Sequence, residues 1–343
     1  MSNTPLNTGL TPSSEPRSEP KSETAQEAAI TVAANIVDAL RHPGVRLCDS
    51  ARYYKSKEAL PLLIIETQTF LAVFAIQGAQ LLEFNIKPSQ KAQESAHNTQ
   101  EASLIWLSPQ AIFTQGKAVR GGIPLCFPWF GAHPSDTNKP SHGFVRGRNW
   151  QLQQIKLNDS GQCKLTFSII NDQEMLALYP YAFKAQLEFN LSEQIDITFS
   201  VDNLSQTTMP CTWALHSYLP IQDIDKVSID GLEGRQYLNT VGPAKQQQQQ
   251  HGSVRLSGEV DRIYQQVGSR QLINSKRALE IHGENCPSAI VWNPGTVLAA
   301  QMADLGISAS REFICLERGA ALNEGWNIPA NGQEVAKIRI KRV

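Results

Sequence analysis

FKAQLEFNL, residues Phe183 to Leu191, and IDITFSV, residues Ile195 to Val201, place an apolar side chain at every second position. A strand turns successive side chains to opposite faces, so this period of two marks strands with one buried face. Cys163 to Ile169 alternates in the same way. Working outward, short β-type runs broken by turn residues occupy Leu62 to Glu66, Phe70 to Ile76, Ala79 to Ile86 and Leu104 to Leu107 on the N-terminal side. Val227 to Ile229, Ala278 to Ile281, Ala289 to Trp292, Phe313 to Leu316 and Val335 to Ile340 follow on the other. A dozen or more strands without intervening helical periodicity predict an all-β fold, a large antiparallel β-sandwich, and argue against a doubly wound α/β sheet.

The chain divides into three parts. Residues 1–24 are Ser, Thr, Pro, Glu and Lys with almost nothing to bury, which predicts a disordered tail. Residues 25–44 carry Ile30, Ala33, Ala34, Val37 and Leu40 at helical spacing, and His42-Pro43-Gly44 ends the pattern, so a short N-terminal helix is expected. The sandwich then runs from 45 to 343. Within it, the polar stretch from Lys87 to Glu101 and the glutamine run from Lys245 to His251 are expected to be mobile surface loops.

Composition narrows the function. The 343 residues are 41% apolar with a net charge of -1, enough for a sizeable core and without the basic bias of a nucleic-acid binder. No run approaches the roughly 18 apolar residues of a membrane span. Six scattered cysteines form no CxxC pair and the start lacks an apolar signal region, which together point to a cytoplasmic setting.

Chemistry concentrates between Val119 and Trp150. Arg120-Gly121-Gly122 sets a guanidinium before two residues able to take positive φ, so that backbone and side chain can close on a small anion. His142-Gly143-Phe144-Val145-Arg146 adds an imidazole and a second guanidinium. A lone arginine here would read as an ion pair with a nearby carboxylate. The two arginines, His142, Gly121, Gly122 and Gly143 all fall within 27 positions, which favours a ligand site.

Two further residues stand out. His216 lies in the apolar and aromatic run Cys211 to Leu219, where burial would lower its pKa and poise it between acid and base near neutrality, or where a backbone carbonyl would satisfy it as a core histidine. Glu317 ends the apolar run beginning at Phe313, as a general base at a strand end or as the ion-pair partner of Arg318.

RGGIPLCFPWFG from Arg120, HGFVR from His142, ALHSYL from Ala214, DRIY from Asp261, WNPG from Trp292 and CLE ending at Glu317 occur in the order seen in the D-hexose-6-phosphate mutarotases. From about Val45 to the C-terminus the chain resembles that family, part of the aldose 1-epimerase (galactose mutarotase-like) superfamily. The resemblance implies a β-supersandwich that interconverts α and β anomers of a hexose 6-phosphate, with His216 protonating the ring oxygen and Glu317 taking the anomeric proton. It also implies that Arg120 and Arg146 hold a C6 phosphate, and that His142 and Asp261 bind the sugar. Ser141 stands where relatives carry glutamine or alanine, and Phe127 where many carry tryptophan.

Elementary chemistry agrees with the assignment. Opening a cyclic hemiacetal needs one group to remove the C1 hydroxyl proton and another to protonate O5, so a carboxylate and an imidazolium suffice and no cofactor or metal is demanded. The expected partner is a small sugar phosphate, bound by a monomer. Three other readings stay open: a mutarotase of free aldoses, a non-catalytic sugar-binding sandwich, and a metal site of His142, His216 and Glu317.

Overall fold

A computed structural model describes residues 39–88 and 103–343. The N-terminal tail, nearly all of the expected helix and most of the Lys87–Glu101 stretch lie outside those residues. Ala39–Arg41 forms one 3-10 turn.

In chain order the strands are β1 Val45–Asp49, β2 Pro61–Glu66, β3 Phe70–Ala75, β4 Gln80–Ile86, β5 Leu125–Cys126, β6 Gln151–Leu157, β7 Cys163–Ile170, β8 Phe183–Leu191, β9 Ile195–Asn203, β10 Met209–Cys211 and β11 Trp213–Leu215. They continue as β12 Tyr218–Pro220, β13 Ser228–Asp230, β14 Gln236–Asn239, β15 Gln246–Gln249, β16 Val260–Tyr264, β17 Arg270–Asn274, β18 Leu279–Glu284, β19 Ser288–Asn293, β20 Phe313–Ala320, β21 Trp326–Ile328 and β22 Gln333–Arg342. Helices are short: α1 Ser50–Tyr53, α2 Gln173–Leu178 and α3 Gly295–Ala299.

Two eight-stranded antiparallel sheets carry the architecture. One runs β13-β17-β18-β22-β9-β8-β7-β6; the other runs β15-β14-β16-β19-β20-β11-β5, with β12 also paired to β20. β1 to β4 form a four-stranded meander. The alternating strands β8 and β9 pair along their full length from Phe183↔Asn203 to Leu191↔Ile195, and their apolar residues are the buried ones. From that face Phe199 meets Trp213 of β11 at 4.9 Å between ring centroids, and Phe183 meets Phe127 at 5.1 Å, so the core lies between the two large sheets. Phe74 of β3 packs against Phe167 and Phe189, seating the meander on the same sheet. Each such aromatic pair adds roughly 0.5–1.5 kcal/mol beyond its buried area.

Two expectations fail locally. Leu104–Leu107 is not a strand: the Leu104 N–H donates to Phe84 and the Trp106 N–H to Tyr218, so this segment stitches β4 to β12 instead of joining one ladder. Conversely, Gln246–Gln249 is no loop. It pairs antiparallel with β14 as the edge strand β15, and the Tyr237 hydroxyl donates to Gln248 Oε1 at 2.6 Å. All four glutamines are exposed, so the strand has no buried face and leaves no alternation to read.

Candidate active site

Alternation along two strands builds the site's centre. Trp213 of β11 faces the opposing sheet, so Ala214 and His216 turn outward from the sandwich. On β20, Arg318 reaches across to Gln271 of the opposing sheet, which turns Glu317 to the outer face. His216 Nε2 and Glu317 Oε1 meet at 3.4 Å, both deeply buried. Arg318 is therefore not the partner of Glu317. Its guanidinium donates instead to the carbonyls of Gly268, Ser269 and Cys286. Among the described residues, His216 Nδ1 and Glu317 Oε2 have no hydrogen-bond partner, although both are buried. Unpaired polar atoms of this kind cost about 1–3 kcal/mol each and are retained where something else uses them.

Burial sets the protonation of this pair. It holds the His216 imidazole well below its ordinary value, with His142, Arg146 and Arg120 pushing the same way, which favours the neutral ring over one poised near neutrality. It raises Glu317 well above the usual carboxylate range, aided by Asp261 and opposed by Arg146. At 3.4 Å the two groups are close enough to pass one proton between them. A neutral acid with a neutral imidazole, and a carboxylate with an imidazolium, differ only by that proton's position.

The loop between β5 and β6 brings His142. Its φ is +64°, and the Gly131 N–H donates to Nδ1 at 3.3 Å, leaving Nε2 to carry the proton. Burial, with Arg146 and Arg120, lowers its pKa to about 3. The rings of His142 and His216 lie edge to face, 5.8 Å apart. Gly143 follows at φ +69°, where a Cβ would sit 1.9 Å from the Phe127 carbonyl oxygen. Only glycine lets this loop press against β5.

Arg120 and Arg146 differ in how they are held. Arg120 Nε donates to Asp304 Oδ2 at 3.1 Å and Nη1 to Tyr218 Oη at 3.0 Å. Arg146 Nη2 donates to the Ser141 carbonyl at 2.9 Å, and no carboxylate pairs with it among the described residues. The glycines after Arg120 do not cradle an anion. Gly122 donates its N–H to Trp106 at 2.7 Å, and a Cβ there would lie 2.1 Å from the Leu81 carbonyl oxygen, so only the arginine side chain reaches outward. Asp261 of β16 stands opposite Trp292 of β19, its carboxyl raised by burial.

These six residues line one cavity of about 1260 Å³, together with Ser141, Trp292, Tyr181, Thr212 and Lys245. Arg120 and Arg146 also border an adjoining groove of about 910 Å³. The WNPG motif frames the wall. Asn293 Nδ2 donates to the carbonyls of Ser310 and Phe313 at 2.8 and 2.9 Å, tying the end of β19 to the start of β20.

A three-ligand cluster does form, but with Cys315 and not His142: one ligand atom each from His216, Cys315 and Glu317 lie within 4.8 Å of one another. Burial pushes the Cys315 thiol well above its ordinary value, which opposes the thiolate a metal would need. Sequence reading also passed over Tyr218 and Asp304. Cys315 and Tyr218 sit two positions from Glu317 and His216, a spacing that puts side chains on one face and would have flagged both. Asp304 carries no such signal, since it meets Arg120 from 184 positions away.

Comparison with known proteins gives the family. The aldose 1-epimerase family model matches residues 61–337. An Escherichia coli K12 protein named "Putative glucose-6-phosphate 1-epimerase" is 30% identical over 267 residues, covering 77% of this chain and 84% of that protein. A Cenchrus ciliaris protein of the same name is 29% identical over 270 residues, covering 75% and 80%. A Salmonella typhimurium crystal structure described as "a putative mutarotase" superposes with a TM-score of 0.72 at 25% identity, covering 83% of this chain and 90% of that one. A galactose mutarotase-like protein from Lactobacillus casei shares the fold at a TM-score of 0.62 and 15% identity, covering 82% and 100%. The matched segment takes in both large sheets except the last residues of β22, and the chain belongs to the aldose 1-epimerase family.

Proposed function

We propose that this protein interconverts the α and β anomers of a hexose 6-phosphate, glucose 6-phosphate first among them. The observation that carries this reading is one cavity lined by a contacting His216–Glu317 pair and by two arginines, one of them without a carboxylate partner among the described residues. Glu317 accepts the C1 hydroxyl proton while His216 protonates O5, the ring opens, rotation about C1–C2 exposes the other carbonyl face, and the transfers reverse. His142, protonated on Nε2, donates a hydrogen bond to a sugar oxygen, and Asp261 binds a hydroxyl. Arg120 and Arg146 take the phosphate, for which a planar fork of donors is better suited than an ammonium. The same features support a sugar phosphate over a neutral aldose, because a neutral sugar offers Arg146 no anion.

The arginines provide the test. A hydrogen bond to a charged group is worth about 1.5–3 kcal/mol. Arg120→Ala or Arg146→Ala should therefore raise KM for glucose 6-phosphate about ten-fold or more without lowering turnover of free glucose. Equal losses on both sugars would return the assignment to free aldoses.

A further inference from the structure

Arg120 is fastened to the tyrosine that stacks on His216 as well as exposed to the cavity. Its Nη1 donates to Tyr218 Oη, and the Tyr218 ring lies face to face with His216, 4.9 Å between centroids and 11° between planes. Phe313 at 5.3 Å and Trp106 at 6.1 Å back the tyrosine, so it cannot retreat from the imidazole. Asp304 grips the guanidinium from the other side, and Ser108 Oγ donates to the Asp304 carbonyl at 2.7 Å. We infer that the substrate's phosphate is an activator as well as an anchor: a dianion held at Arg120 acts on His216 through Tyr218, a positioning residue. This inference rests on the assignment of Arg120 and Arg146 to the phosphate.

Electrostatics supports the geometry. The groups acting on His216 are His142 and Arg146 from the β5–β6 loop, Arg120, Tyr218, and Cys315 and Glu317 from β20. Arg120 disfavours the imidazolium, whereas the groups that act on Glu317 are Asp261 and Arg146. Arg120 thus biases the shared proton toward Glu317 and away from the ring. A dianion that draws the Arg120 guanidinium off Tyr218 Oη takes that charge away from the ring stacked on His216 and returns the proton to the imidazole, the form that protonates a ring oxygen. The proton count of the pair is unchanged.

A dianion detached from the sugar should then activate a neutral sugar. The experiment follows mutarotation of free glucose with and without inorganic phosphite, in the full chain and in Tyr218→Phe, which keeps the ring and loses only the hydroxyl. Saturating phosphite should raise kcat/KM on glucose about ten-fold in the unmodified protein and less than about two-fold in Tyr218→Phe, the scale of one hydrogen bond to a charged group. In both proteins phosphite should compete with glucose 6-phosphate with the same inhibition constant. Arg120→Lys, which keeps the charge but not the fork reaching Tyr218, should show the same loss of activation. The inference is overturned if phosphite competes with glucose 6-phosphate but does not activate glucose turnover, or if Tyr218→Phe is activated as strongly as the unmodified protein. Failure of the phosphate assignment looks different: phosphite would then not compete at all, and the inference would fall with it.

Discussion

In the proposed mechanism His216 and Glu317 are the two ends of one proton relay, and removing either leaves the second transfer without a partner. General acid–base catalysis contributes on the order of 10²- to 10⁴-fold per group, so His216→Ala and Glu317→Gln should each lower kcat for anomerisation by that order. Both should keep an unfolding midpoint close to that of the unmodified protein. A variant retaining near-full turnover would move the acid–base role elsewhere. His142 makes a separate prediction about stability. Its proton affinity in the fold, about 3, lies below the ordinary histidine value of 6.5, so between those pH values the unfolded chain binds more protons. The stability from keeping the ring neutral is complete above pH 6.5 and is lost as pH falls toward 3, at up to about 1.4 kcal/mol per pH unit. His142→Asn, whose side chain tolerates positive φ, should lose stability less steeply between pH 7 and 4.5 in urea titrations. Parallel slopes for the two proteins would show that His142 takes up its proton in the fold.

At the scale of single elements, the β5–β6 loop depends on Gly143. A Cβ there meets the Phe127 carbonyl oxygen at 1.9 Å, and the residue also holds φ +69°. Gly143→Ala should cost about 2 kcal/mol or more in denaturant unfolding and should displace His142 from the cavity. An unchanged midpoint would mean that the loop does not press on β5 as described. The same scale shows what the sequence could reveal. β8 and β9 were legible because one face of each is buried and the other wet, so their pattern repeats every second residue. β15 left no such pattern, being exposed along its whole length, and β6 carries only two fully buried residues. Leu104–Leu107 is apolar because it is buried, and burial alone does not distinguish a ladder from a stitch between two sheets. The histidines, the arginines, Glu317 and Asp261 could be named from their local motifs. Asp304 could not, since its role depends on a contact that only the folded chain makes.

Across the whole molecule, two antiparallel sheets bury an aromatic core between them and leave the outer face of one to form the cavity. In the proposed mechanism the reacting groups come from β20 and the end of β11, while the phosphate-binding arginines come from loops that flank β5. The central claim is that this cavity serves a phosphorylated sugar. Its most direct test is the enzymatic rate of α-to-β interconversion of glucose 6-phosphate, measured beside that of free glucose at equal enzyme concentration and corrected for the spontaneous reaction. The account predicts a kcat/KM for glucose 6-phosphate at least about ten-fold above that for glucose, since two arginines each contribute a charged hydrogen bond. Equal values for the two sugars, or a preference for glucose, would contradict it.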